Sequence, residues 1–269
     1  MLFRSETGGT SAYQVKDGWL NRLLTLLPAD DKAIALAATV PLALRGPVEV
    51  ASYAPSALPD ASDDLLMRVT QMYQGDAQLH GIWEQATATR MLTSDLASDN
   101  GRNAAATGDL AAKMLSAENG SRIAMIETGG WDTHAGQRGR LAGQLNGLDQ
   151  MVGALQKGLG PLWSSTVVLV ATEFGRTVKV NGTQGTDHGT GSVAMLMGGA
   201  VNGGRVVADW PGLADAALYE DRDLKPTLGL DTVIGSTLAA HFDLTPQIAA
   251  RTLFPEVQMA RPIQDLVRA

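Results

Sequence analysis

Thr166-Val167-Val168-Leu169-Val170-Ala171-Thr172-Glu173-Phe174-Gly175-Arg176-Thr177 is the stretch on which the fold turns. Seven residues in a row are apolar or β-branched, and then a carboxylate arrives. Continuous apolar character, rather than alternation, marks a strand buried on both faces, as in a parallel sheet flanked by helices. Open α/β sheets build their sites outside the carboxyl ends of such strands. A carboxylate placed there is costly to desolvate unless it is paired or metal-bound.

Two further segments share this design. Upstream, 122–128 reads as a short strand that ends in Gly129-Gly130-Trp131-Asp132-Thr133-His134. Downstream, Thr186-Asp187-His188-Gly189 precedes a second buried run, 193–197, closed by Gly198-Gly199. The 269 residues contain only four histidines, so finding two of them in these clusters calls for an explanation. Between the strands, 137–159 places Leu141, Leu145, Leu148, Met151, Val152 and Leu155 at helical spacing. Strand–helix–strand alternation indicates an α/β fold with a mostly parallel sheet between helices.

Working further outward, 18–27 reads as an amphipathic helix stopped by 28–31. The short apolar runs 33–38 and 48–53 read as strands or loop segments packing on an edge. Ser62 or Asp63 caps a helix that reaches about Tyr73. Residues 76–116 are mostly helical, interrupted at 98–101, and the Ala-rich 104–115 should pack closely on the sheet. Residues 203–207 suggest a hairpin-like excursion, and 227–242 a late helix. The whole, 1–269, reads as one domain: an irregular start over 1–14, a mainly helical part over 15–121, and an α/β part over 122–269 that carries the candidate site.

Composition narrows the function. The net charge is −7 with no basic stripe, which speaks against nucleic acid as a partner. No run of apolar residues is long enough to predict a membrane span. The absence of cysteine removes disulfides, thiol nucleophiles and thiolate ligands. No Gly-x-Ser-x-Gly elbow, P-loop or dinucleotide fingerprint is present. The polar, Gly-rich opening is unusual for this class, and Leu2-Phe3-Arg4-Ser5 is what one frame of a common sequencing-adapter end encodes (CTC TTC CGA TCT). The expectation is a reading frame truncated on its N-terminal side.

Each cluster has a chemical and a plain reading. On an extended segment Asp132 and His134 point the same way and can meet at one ligand; alternatively Asp132 or Thr133 caps the helix from Gln137. Glu173 is a metal ligand, or the ion-pair partner of Arg176 three residues on. Arg176 steers an anion, or only pairs. His188 is a ligand candidate, with Asp187 beside it. Trp131 walls a pocket or merely packs. His80 and His241 read as structural, His241 as a cation suited to a helix C-terminus.

In order, the segments Gly129-Gly130-Trp131-Asp132-Thr133-His134, Glu173-Phe174-Gly175-Arg176-Thr177 and Gly185-Thr186-Asp187-His188-Gly189 followed by Gly203-Gly204-Arg205-Val206 resemble the DUF1501 family, a bacterial group related to the sulfatases and alkaline phosphatases. The match is specific over 123–207 and looser elsewhere. The resemblance implies an alkaline-phosphatase-like fold, twin-arginine export to the periplasm or exterior, and hydrolysis of a small phosphate or sulfate ester at a divalent metal such as Zn, Mn or Ca. It makes Asp132, His134, Glu173 and His188 the metal ligands, Asp187 a residue orienting a histidine, and Arg176 the anion binder. Phe174 stands where that superfamily has a histidine, and the first strand with its nucleophile is not visible. An impaired enzyme is therefore expected, with a sheet edge left open to self-association. The competing expectation is a non-catalytic, exported binding or assembly protein on the same fold.

Overall fold

A computed structural model describes residues 6–9, 15–54, 61–93, 103–258 and 260–268. The expected break in the helical region at 98–101 and the adapter-like Leu2 to Ser5 lie outside these residues. The fold is mixed α/β. Its middle layer starts with β1 (Ala33–Leu36), which pairs in parallel with β2 (Ala51–Ser52) on one side and β3 (Ile123–Ile126) on the other. Thus the run at 33–38 supplies the central strand of three, not an edge, because its alternate residues find cover on both sides. Ala33 and Ala35 enter the main core, whereas Ile34 enters a second cluster on the opposite face.

Helices close both faces. On one side lie α1 (Trp19–Leu24) and, from the C-terminal region, α6 (Leu230–His241) and α7 (Pro246–Leu253). They contribute Leu20, Leu23, Leu24, Ile234, Ala249 and Leu253 to the main core. On the other side lie α4 (Ala104–Ser116) and α5 (Gln137–Leu159), whose Ala111, Ala112, Leu155 and Leu159 form one cluster. Small residues let these two helices approach closely. A side chain at Gly108 would meet the Met151 carbonyl at 2.1 Å, and one at Gly158 would meet Ala112 Cβ at 2.5 Å. Between α1 and α4 stand α2 (Asp63–Tyr73), with Ser62 Oγ accepting from the Leu65 N–H at 3.3 Å, and α3 (Ala77–Thr93).

The decisive apolar stretch is shorter and paired differently than the sequence suggests. β4 (Val168–Val170) runs antiparallel to β7 (Met195–Met197) in a sheet of its own. Its continuous apolar character is still explained by cover on both faces: Leu169 packs on the main core and Val168 on the α4–α5 cluster. Coverage does not set pairing direction; the chain doubles back through 177–192 and returns antiparallel. That excursion contains a two-stranded ribbon, β5 (Gly175–Arg176) with β6 (His188–Gly189). No strand forms at 203–207, where Val206 is 92 % exposed. No described helix is long and apolar enough to cross a membrane.

Two buried polar residues tie the layers. The Arg22 guanidinium donates to the Thr7, Thr252 and Leu253 carbonyls and pairs with Asp17 at 2.9 Å. Asn21, fully buried, donates to the Leu44 and Val48 carbonyls at 2.8 and 2.7 Å and accepts from the Val48 N–H. Thr7 is itself buried, so the described part of the irregular start is packed against the C-terminal helices.

Candidate metal centre

After β3 the chain turns through Gly129 and Gly130, the latter at φ +85°, and reaches His134 through a tight turn in which the Thr133 N–H donates to the Trp131 carbonyl at 3.0 Å. It then enters α5 through Gly136 at φ +56°. Neither Asp132 nor Thr133 caps that helix. The Gly136 and Gln137 N–H groups donate instead to the Thr183 and Gln184 carbonyls at 3.0 and 2.9 Å. The helix start is thus held by the 181–185 turn, and Asp132 and His134 are left available.

The ribbon brings the third residue. Its register sets Arg176 directly opposite His188. One oxygen of Asp132, Oδ1, then lies 2.7 Å from His188 Nε2, 2.9 Å from His134 Nε2 and 3.2 Å from Arg176 Nη2. Ligand-capable atoms of Asp132, His134 and His188 all fall within 4.8 Å of one another. The side chains are about half exposed, open to an ion from solvent. The His188 hydrogen bond, with the positive charge nearby, holds the Asp132 carboxyl below the usual aspartate range.

Asp187 Oδ1 sits 3.1 Å from His134 Nδ1. Its carboxyl is also held below the usual range, first by the Asn181 amide and then by His134. Asn181 is the hub of the loop: its Nδ2 donates to Asp187 Oδ1 and to the His134 carbonyl, both at 3.0 Å, while its Oδ1 accepts from the Thr183 and Gly185 N–H groups. Gln137 Oε1 accepts from Thr133 Oγ1 and Thr186 Oγ1 at 3.1 and 2.6 Å, joining the two ligand-bearing segments. Gly185 is required by proximity, since a Cβ there would meet the His134 carbonyl oxygen at 2.1 Å.

Phe174 stacks on the His188 ring at 4.1 Å, and His188 stacks on His134 at 4.9 Å. Arg176 lies over Phe174 and donates to the Thr186 and Trp131 carbonyls at 2.7 and 2.6 Å. Its carboxylate partner is Asp132 rather than Glu173. Glu173 is exposed and stands outside the group of three. Trp131 bonds locally, its Nε1–H donating to Thr128 Oγ1. His80 pairs with Glu84 one turn on at 3.3 Å. His241 differs from its reading as a helix-end cation, because burial lowers its pKa and favours the neutral ring.

Sequence reasoning passed over Asn181 and Gln137. Asn181-Gly182 is a turn signal and nothing more, and Gln137 reads as the first residue of a helix; their roles arise only when the 181–185 turn folds onto the start of α5.

No curated protein and no solved structure matches the chain. The model of one family, described as "Protein of unknown function (DUF1501)", matches residues 1–253. That match takes in both helical layers and every residue of the metal-competent group, and the chain belongs to the DUF1501 family.

Proposed function

We propose that the chain binds one divalent cation through Asp132, His134 and His188 and hydrolyses a phosphate or sulfate ester there, on an alkaline-phosphatase-like fold. The observation that carries this reading is the convergence of two imidazole Nε2 atoms on one carboxylate oxygen. The donor set fits: two imidazoles and a carboxylate suit zinc or manganese better than calcium, which takes oxygen ligands. The Nε2–Oδ1 separations of 2.9 and 2.7 Å are hydrogen-bond distances, and seating an ion would widen them toward the ~3.3 Å edge of a tetrahedral zinc site.

When bound, the cation supplies positive charge that polarises an ester oxygen and acidifies water. The chain's own residues do the rest. Asp187 accepts a hydrogen bond from His134 Nδ1–H, which fixes the tautomer whose Nε2 lone pair can ligate. Phe174 holds the His188 ring in plane. Arg176 sets Trp131, Thr186 and Asp132 in register and adds positive charge where an anion would approach.

The test is turnover of p-nitrophenyl phosphate and p-nitrophenyl sulfate with added Zn²⁺ or Mn²⁺. Metal-dependent hydrolysis, lost in His134→Ala and His188→Ala, is expected. Metal binding without turnover of either ester would remove the hydrolase reading and leave the metal site.

One observation favours a second reading, a non-catalytic binding or assembly role. Asp132 Oδ1 already meets donors from His134, His188 and Arg176 within the chain, so the network closes on itself as a fastening of two loops. A parent chain whose melting temperature does not respond to Zn²⁺ or Mn²⁺, yet falls when His134 and His188 are both changed to Ala, would be its signature.

A further inference from the structure

The ribbon that carries His188 has a backing segment. On the side of β5 away from β6, 222–224 runs antiparallel to it. The Val178 N–H donates to the Arg222 carbonyl at 3.0 Å, the Leu224 N–H donates to the Arg176 carbonyl at 3.4 Å, and Asp223 stands opposite Thr177. Side chains alternate across a strand, so Arg176 and His188 share one face, and Gly175, Thr177, Gly189 and Asp223 share the other. Asp223 therefore lies behind the backbone whose front presents His188 and Arg176 to Asp132. The glycines make room for this. A Cβ on Gly189 would meet Asp223 Cγ at 3.0 Å, and one on Gly191 would meet the Leu224 carbonyl oxygen at 2.3 Å.

Asp223 is 1 % exposed, a buried carboxylate that none of the interactions described above uses. Burying such a charge is costly unless it is paired and hydrogen-bonded. Thr190, two residues beyond His188, donates from Oγ1 to Asp223 Oδ2 at 3.1 Å. The Arg222 guanidinium lies 2.8 Å from Oδ1 and donates to Oδ2 at 3.3 Å. No aligned hydrogen bond reaches Oδ1 among the described residues. Thr190 and Arg222 are thus what the carboxylate holds. The chain also bends sharply to deliver it: Glu220 and Asp221 take left-handed backbone at φ +53° and +55°, and the Tyr219 and Asp223 backbones exchange both hydrogen bonds across that turn. Two successive non-glycine residues in this region persist only where surrounding contacts enforce them.

We infer that Asp223 is a positioning residue. From the far face of the ribbon, through Thr190 and the 222–224 backbone, it holds the register that sets His188 Nε2 2.7 Å from Asp132 Oδ1. Its effect on metal affinity rests on the metal-binding reading above; its hold on His188 does not.

The test compares the full chain with Asp223→Ala, Thr190→Val and Thr190→Ser, and with Gly108→Val as a variant destabilised at the α4–α5 contact. Carbethoxylation by diethyl pyrocarbonate, read residue by residue by mass spectrometry, reports how firmly each imidazole is held without metal. His188 is expected to react about fivefold faster in Asp223→Ala and Thr190→Val, as a nitrogen released from a hydrogen bond. His80 should be unchanged, and Thr190→Ser should restore the parental rate. Zn²⁺ affinity by calorimetry is expected to fall about tenfold in Asp223→Ala and Thr190→Val, and to hold in Gly108→Val and Thr190→Ser. Unchanged His188 reactivity in Thr190→Val and in a folded Asp223→Ala overturns the inference. So does an equal acceleration in Gly108→Val, which would make the effect one of stability alone. If Asp223→Ala does not fold, the two Thr190 variants decide. If the parent binds no Zn²⁺, the proposed function fails, while the reactivity of His188 still decides the role of Asp223.

Discussion

At the scale of single residues, the chain depends on a few polar groups whose partners are backbone carbonyls. Arg22 is the clearest. Burial pulls its pKa down, Asp17 opposes that, and three carbonyls from distant segments depend on its donors. Arg22→Met would leave those carbonyls unpaired, and a loss of about 3–5 kcal/mol in urea unfolding is expected. In the site, Gly185→Ala would drive a methyl into the His134 carbonyl. It should abolish metal binding while far-ultraviolet circular dichroism stays unchanged, since only the loop is displaced. Asp132 and Asp187 have folded pKa values below the usual range, so their contribution to stability is present above that range and lost as pH falls through the lowered values. Glu6 has the opposite sign. Burial and its acidic neighbours raise its pKa, so its contribution is present below the usual glutamate range and lost as pH rises through the raised value. Denaturant midpoints should therefore fall less in Glu6→Gln than in the parent chain as pH rises above the usual glutamate range, and fall less in Asp187→Asn than in the parent as pH drops below the usual aspartate range.

At the scale of elements, much of the chain was legible because pattern and packing agree. The helix at 137–159 is found over those residues, and Ser62 caps α2 as its position suggests. Asp132, His134 and His188 were legible as candidates because strand ends collect sites. What was hidden depends on tertiary contact. The apolar run at 166–172 reports that two layers cover it, which it does; it cannot report that its neighbour returns antiparallel. Glu173 looked equivalent to Asp132 because both follow strands, but the register of the ribbon selects His188 and Arg176 to meet Asp132. The α4–α5 contact yields its own test. Gly108→Val would put a branched side chain against the Met151 carbonyl and force the helices apart. A destabilisation of about 1–3 kcal/mol is expected in chemical denaturation.

At the scale of the whole molecule, the three layers and the site explain each other. The helices over both faces hold β3 and β4 with their carboxyl ends together, and the loops leaving those ends carry the Asp132, His134 and His188 group. The most direct measurement is metal content by mass spectrometry of the purified chain together with its melting temperature in added Zn²⁺ or Mn²⁺, for the parent and for His134→Ala with His188→Ala. One ion per parent chain is expected. At a hundredfold excess over Kd a rise of about 5–10 °C is expected, absent from the double variant. A parent chain that holds no metal and melts at the same temperature with and without it would contradict the assignment of Asp132, His134 and His188 as a metal site.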